Sequence, residues 1–181
     1  MQATYPLASS TWGQEELDAI QTVMDSGRFT MGPRVFQFEK EFAEKFGATD
    51  AVMVNSGSTA NLLMLSLLKW KYKLHLKPNA NVIVPTVGWS TTYFPVAQND
   101  FILNFVDVHP TTFNIDIHKI EEAIDNDTVA IMPVNLCGNS CDYDEIKSIC
   151  DKHNLVLIED NCESMGASYK DKYCGTHGMM G

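Results

Sequence analysis

The sequence has few basic residues, and this scarcity excludes two classes of partner. It contains 13 Lys and Arg against 23 Asp and Glu in 181 residues, a formal net charge of −10. A chain with a pI near 4.8 lacks the basic surface that attracts a nucleic-acid backbone or an anionic membrane. We therefore predict no nucleic-acid and no membrane partner. Any phosphate group must be bound locally, by backbone amides and a few side chains.

Long apolar runs and paired cysteines are also lacking. No run approaches the roughly 20 residues that span a bilayer, and no basic segment followed by an apolar one begins the chain. The cysteines are odd in number and have neither zinc-finger spacing nor an obvious disulfide pattern. We expect reduced cysteines, no metal site and a cytoplasmic location. The five are Cys137, Cys141, Cys150, Cys162 and Cys174.

Residues 1–50 are predicted to form a helical N-terminal segment. Thr11 and Gln14 suggest a capping box, and apolar residues follow at helical spacing as far as Ser26-Gly27. A second helix is predicted from Pro33 to Gly47.

Residues 51–181 change to an alternation of short apolar runs and amphipathic segments. The predicted strands are 51–54, 81–85, 101–108, 129–135 and 155–160, and the predicted helices are 59–70, 90–98, 118–124 and 143–153. Strands that are apolar on both faces and alternate with helices are typical of a mostly parallel sheet covered by helices on both sides. The fold class is therefore α/β. A hairpin is predicted around Lys170–Lys172, and the Gly-rich ending suggests that the domain continues in a longer protein.

The segments that follow the predicted strands carry the candidate chemistry, because ligands of open parallel sheets bind beyond the carboxyl ends of the strands. The turn Asn55–Ala60 leads into a helix, whose free N–H groups suit a phosphate. It is neither a Walker A loop nor a dinucleotide fingerprint. An ordinary turn capped by Ser and Thr explains the same residues and is the commoner case for such a turn taken alone.

Two further residues end predicted strands. Trp89 follows the strand at 81–85 and is able to stack on an aromatic ligand, although a packing Trp at a helix start is an equal alternative. Asp160 ends an apolar strand, where a carboxylate requires a positively charged partner such as a protonated pyridine nitrogen. A helix N-cap and a magnesium ligand are the alternatives for Asp160. Together, a phosphate turn, a flat aromatic and a buried Asp indicate half of a pyridoxal 5′-phosphate site.

Several segments resemble one known family. The chain is similar to the N-terminal half of the sugar-nucleotide aminotransferases of the DegT/DnrJ type, and within them to the branch of 3-dehydratases that act on GDP-4-keto-6-deoxymannose. The resemblance implies the large domain of the fold-type I pyridoxal phosphate-dependent transferases, here incomplete. The matching segments include Pro6–Ala8, FTMG at 29–32, 55–61, GWSTTY at 88–93, 114–116, 135–139, 159–166 and 175–178.

The resemblance implies roles for five residues. Gly57 and Ser58 match the groups that hold the cofactor phosphate, and Trp89 matches the aromatic stacked on the pyridine ring. Asp160 matches the partner of the ring nitrogen, and Glu163 matches a residue beside the cofactor. The implied cofactor is pyridoxal 5′-phosphate (PLP) or pyridoxamine 5′-phosphate (PMP).

The residue that chooses the reaction is expected beyond Gly181, so no catalytic residue is predicted within the chain. Lysine at that position is implied for a 4-aminotransferase and histidine for a 3-dehydratase; Lys170, Lys172 and His177 are not expected to serve. The resemblance further implies a nucleotide-linked keto-deoxysugar of polysaccharide biosynthesis as substrate, glutamate as amino donor, and a homodimer. A non-catalytic fragment that needs a partner chain is the third alternative.

Overall fold

The computed structural model describes residues 9–73 and 77–181. The Pro6–Ala8 segment of the family resemblance therefore lies outside the described residues.

Two helices form the N-terminal segment, as predicted: α1 (Gln14–Asp25) and α2 (Pro33–Phe46). Helix α2 ends at Gly47, whose φ of 71° is the left-handed conformation that glycine adopts readily. The capping box predicted at Thr11 and Gln14 is wrong. The N-cap is Gly13, whose N–H donates to Glu16 Oε2 at 2.6 Å, because the helix begins two residues later than a Thr11 cap requires.

The described residues form a main sheet of four strands: β1 (Asn81–Pro85), β2 (Ile102–Val106), β3 (Thr128–Ile131) and β4 (Val156–Leu157). The strands are parallel and lie in the order β2-β1-β3-β4. Beside β4, Met179 and Met180 continue the parallel alignment through a bridge between Ile158 and Met180.

Helices cover both faces of this sheet. They are α3 (Gly57–Lys71), α4 (Ser90–Gln98), α5 (Ile117–Ala123) and α6 (Tyr143–His153), and a short 3-10 helix spans Leu136–Gly138. Ile83, Ile131 and Leu157 pack in one core cluster with α5 and α6. Val82, Val84 and Ile158 point to the other face and pack with α3 and α4. The three-layer α/β architecture is thus confirmed.

The prediction of a C-terminal hairpin is confirmed, and the prediction of a strand at 51–54 is wrong. The hairpin forms, with β5 (Ser168–Tyr169) antiparallel to β6 (Lys172–Tyr173). Residues 51–54 do not form the predicted strand, since they pair with no strand in the described parts of the chain. Val52 and Met53 are 67% and 47% exposed, and the Met53 N–H donates to Glu39 Oε1 instead.

Candidate cofactor site

Asp160 lies at the carboxyl edge of the parallel sheet. Its backbone bridges to Val134 beyond the end of β3, and its side chain is buried, with the residue only 3% exposed. The apolar strand β4 therefore carries the carboxylate out of the core to the edge where ligands of such sheets bind.

Three donors surround the Asp160 carboxylate. Asn61 Nδ2 (3.0 Å) and Thr92 Oγ1 (2.7 Å) donate to Oδ2, and the Cys162 N–H donates to Oδ1 at 3.2 Å. No Lys, Arg or His in 9–73 or 77–181 forms an ion pair with it. Each carboxylate oxygen accepts about two hydrogen bonds, so Asn61 and Thr92 satisfy Oδ2, and the Cys162 thiol is a further, weaker donor beside the carboxylate.

This geometry argues against one of the three interpretations of Asp160 and bears on the other two. It does not cap a helix, because a turn follows it, and its Oδ1 closes an Asx-type turn on Cys162. The described residues contain no cluster of His, Cys, Asp or Glu suited to a metal ion. A buried carboxylate with no cation in the described chain fits a protonated ring nitrogen, which would supply the compensating charge.

Asn61 and Thr92 bring the other predicted elements to Asp160. Asn61 lies one helical turn after Gly57 in α3, and its Nδ2 also donates to the Thr91 carbonyl at 3.2 Å. Thr92 lies three residues after Trp89 in α4. The starts of α3 and α4 therefore meet at the carboxylate. Sequence reasoning did not assign either residue; the available signal was a polar side chain one turn into a mainly apolar helix.

Gly57 and Ser58 are the first two residues of α3. Ser56 caps the helix through its side chain, which accepts from the Thr59 N–H at 3.2 Å, so the capping interpretation of this turn is correct for Ser56. The first-turn N–H groups of a helix have no acceptor within the helix, and both residues are exposed. A Cβ added to Gly57 would meet open space. This helix start can therefore accept an anion.

Trp89 is the N-cap residue of α4 and is 71% exposed. Within the described part of the chain, its ring does not pack in the core. The packing role falls to Tyr93, whose OH donates to the Pro85 carbonyl at 3.0 Å. Burial, and then the negative charge of Asp160, raise the pKa of Tyr93, so its phenol remains protonated beside the site.

Glu163 connects the loops that follow β3 and β4. Its Oε2 accepts the Cys137 N–H at 2.5 Å, and Cys137 has a φ of 55°, a left-handed conformation. Cys162 is exposed in the same loop. Partial burial of its sulfur, followed by the charge of Asp160, raises the pKa of the Cys162 thiol to about 12, which makes it a poor nucleophile at neutral pH.

Two basic residues near the C-terminal end contact other parts of the chain. Lys170 forms an ion pair with Asp144 at the surface. His177 stacks on Tyr143 with ring centroids 4.2 Å apart, and its Nε2 lies 3.2 Å from the Lys172 carbonyl. Burial lowers the pKa of His177. That Lys170, Lys172 and His177 do not serve as the catalytic base stays a prediction.

Within the described ranges, no helix is long and apolar enough to cross a membrane.

Comparisons with known proteins agree with the fold. The model of the DegT/DnrJ/EryC1/StrS aminotransferase family matches residues 10–181. The chain is 52% identical over 177 residues to the GDP-4-keto-6-deoxy-D-mannose 3-dehydratases of Escherichia coli O55:H7 and Yersinia pseudotuberculosis. These alignments cover 98% of this chain but 46% and 45% of those proteins, so the chain spans about half the length of the curated relatives it matches.

A solved structure agrees with the sequence relatives. GDP-4-keto-6-deoxymannose-3-dehydratase with a trapped PLP-glutamate geminal diamine superposes with a TM-score of 0.93 at 52% identity, over 98% of this chain and 46% of that one. The family model covers nearly all of the chain, and the three-layer fold is the one that the resemblance implied. The chain belongs to the DegT/DnrJ/EryC1/StrS aminotransferase family.

Proposed function

We propose that this chain is the cofactor-binding part of a PLP- or PMP-dependent enzyme that removes the 3-hydroxyl of a GDP-4-keto-6-deoxyhexose in deoxysugar and polysaccharide biosynthesis. One observation carries the cofactor assignment: the Asp160 carboxylate is buried at the carboxyl edge of the sheet and has no cation partner in the described chain. The similarity to two 3-dehydratases at 52% identity supports the reaction and the substrate.

Each predicted site residue would contact a different part of the cofactor. The N–H groups at Gly57 and the hydroxyl of Ser58 would hold the phosphate at the start of α3, and the exposed face of Trp89 would cover the ring. Asp160 would keep the ring nitrogen protonated, and Glu163 would lie beside the cofactor in the following loop. The bound cofactor supplies an electron sink for the negative charge that develops at the reacting carbon.

Substitution of Asp160 tests the site. In the full-length protein, Asp160→Asn replaces an acceptor by an amide of the same shape and removes the charge. Loss of a charge-assisted hydrogen bond, about 1.5–3 kcal/mol, predicts a roughly ten- to hundredfold weaker affinity for PLP, followed by visible absorbance. Asp116→Asn is a matched control, because Asp116 is a largely buried N-cap of α5. Equal affinity in the Asp160→Asn variant would show the assignment to be wrong.

The residue that follows Gly181 at the cofactor-facing position separates the two reactions. Histidine there supports the 3-dehydratase, and lysine supports a 4-aminotransferase on a nucleotide-linked keto-sugar. If the 181-residue chain binds PLP without turning over GDP-4-keto-6-deoxymannose, the chain is a non-catalytic fragment by itself. If no cofactor remains after desalting, this chain does not bind it alone.

Glutamate as amino donor, a homodimer, a cytoplasmic location and a division between residues 1–50 and 51–181 complete the proposal. The PLP-glutamate adduct of the solved relative supports glutamate.

No residue of α1, which lies wholly within the described chain, is buried, while Leu17 and Met24 are more than half exposed. These side chains require a cover from a second copy or from further polypeptide. Light scattering of the purified full-length protein tests the dimer.

A further inference from the structure

Glu159, the residue before Asp160, is fully buried, with no exposed surface. Its Oε2 accepts the Gly175 N–H at 2.7 Å, and its Oε1 accepts the Gly178 N–H at 2.5 Å. No Lys, Arg or His of residues 9–73 and 77–181 forms an ion pair with it. A buried carboxylate without a cation is costly unless hydrogen bonds satisfy it, and these two backbone N–H groups, together with the neighbouring Tyr143 hydroxyl, supply them.

Glu159 and Asp160 point to opposite faces of the sheet. Ile158 packs with α3 and α4, so the alternation along a strand places Glu159 on the α6 face and Asp160 back on the α3 and α4 face. The hydrogen bonds from Asn61 and Thr92 to Asp160 agree with this alternation. The end of one strand therefore holds the proposed partner of the ring nitrogen on one side and the segment 175–181 on the other.

Backbone contacts fix the segment 175–181 closely to this strand end. The Met179 N–H donates to the Leu157 carbonyl at 2.9 Å, and the Glu159 N–H donates to the Met180 carbonyl at 2.9 Å. At Gly178, an added Cβ would lie 2.5 Å from the Leu157 carbonyl oxygen, so only glycine permits this approach. The backbone pairing and the Glu159 side chain together form a junction between this strand end and the segment 175–181.

We propose that Glu159 is a positioning residue: it sets where the segment 175–181 leaves the sheet edge relative to Asp160. The proposal rests on the proposed function, because the residue that chooses the reaction is expected beyond Gly181. A shift of that segment would displace the proton-transferring residue while leaving the Asp160 contacts in place. Small displacements of a reacting group are sufficient to reduce turnover a hundredfold.

Hydrogen–deuterium exchange and kinetics on the full-length protein test this role. In Glu159→Gln, one amide N–H must face the NH₂ group instead of an oxygen. We expect the amides of 175–178 to exchange at least tenfold faster, while the amides of β1 keep their protection. The kcat for GDP-4-keto-6-deoxymannose should fall at least tenfold with a nearly unchanged KM and retained PLP absorbance. Glu121→Gln, at an exposed carboxylate paired with Lys152, should alter none of these.

Four results would overturn the proposal: unchanged exchange at 175–178, an equal increase throughout the sheet, faster local exchange with full kcat, or loss of PLP absorbance in the variant alone. If Glu159→Gln does not fold, Gly178→Ala disrupts the same junction from the other side. It should give the same local exchange and kcat loss, and retention of kcat would overturn the proposal. Absence of PLP binding in the unsubstituted protein would contradict the proposed function instead, while the exchange result would still decide whether Glu159 holds the segment.

Discussion

Replacement of Thr92 by valine isolates one hydrogen bond of the candidate site. Thr92 is 1% exposed, and its hydroxyl donates to Asp160 Oδ2 at 2.7 Å. Valine keeps the branched shape and removes the donor, so neither a cavity nor a steric clash is expected. The free energy of unfolding of Thr92→Val therefore measures what this hydroxyl contributes to a buried carboxylate.

The expected loss is about 2 kcal/mol. Hydrogen bonds to charged groups contribute about 1.5–3 kcal/mol, and the value should lie toward the lower end because Asn61 still donates to the same oxygen. For a chain of this length, 1 kcal/mol lowers Tm by about 2–4 °C, which predicts a decrease of about 4–8 °C.

Urea unfolding followed by circular dichroism provides the measurement, with the m-value checked for constancy. Thr86→Val is the matched control, since Thr86 Oγ1 also donates to an aspartate, Asp107 Oδ1, at 3.2 Å but on the surface. The free energy of unfolding of Thr86→Val should differ from that of the unsubstituted protein by no more than about 0.5 kcal/mol. If Thr92→Val costs no more than Thr86→Val, the hydrogen bond to Asp160 does not stabilise the fold as argued.

Three further predictions concern the cofactor ring, the glycines and acid stability. Trp89→Ala should weaken PLP binding and change the unfolding free energy by less than about 0.5 kcal/mol, because the ring is exposed; unchanged PLP affinity would remove Trp89 from the site. Gly175→Ala should destabilise more than Gly47→Ala in thermal unfolding, because both have positive φ but only Gly175 is crowded by a neighbouring side chain. A hydrogen bond from Tyr169 is the main cause that lowers the pKa of Asp142. The stabilisation from this hydrogen bond is fully present above the pKa that Asp142 has in the unfolded chain, and it is lost as pH falls through the lower pKa of folded Asp142. Tyr169→Phe should therefore raise the pKa of folded Asp142 in an NMR titration and reduce the acid-induced loss of stability.

The chain's local pattern predicted most of the elements. Pro33 and Gly47 bracket α2, and residues 90–98 form α4 as predicted. These predictions hold because helix ends and apolar periodicity depend on residues a few positions apart. The capping box failed because a cap depends on where the helix begins: α1 begins at Gln14, so the N-cap is Gly13 and not Thr11.

The predicted strand at 51–54 shows where local information ends. Its apolar residues suit a strand, but a strand exists only when another segment offers its backbone groups, and no described segment does so. The order β2-β1-β3-β4 likewise depends on pairing between distant segments, which periodicity does not specify.

The candidate site also depends partly on local sequence and partly on tertiary structure. The sequence by itself determined that Trp89 and Asp160 follow apolar runs and that Gly57 and Ser58 lie where a turn leads into a helix, and the family resemblance gave these residues and Glu163 their roles. Only the tertiary structure decided that Asn61 and Thr92, which are 99 and 68 residues from Asp160 along the chain, donate to its carboxylate. The reason is physical: a buried charge must be satisfied by whichever polar groups folding brings within hydrogen-bond distance, and that proximity is a property of the assembled layers.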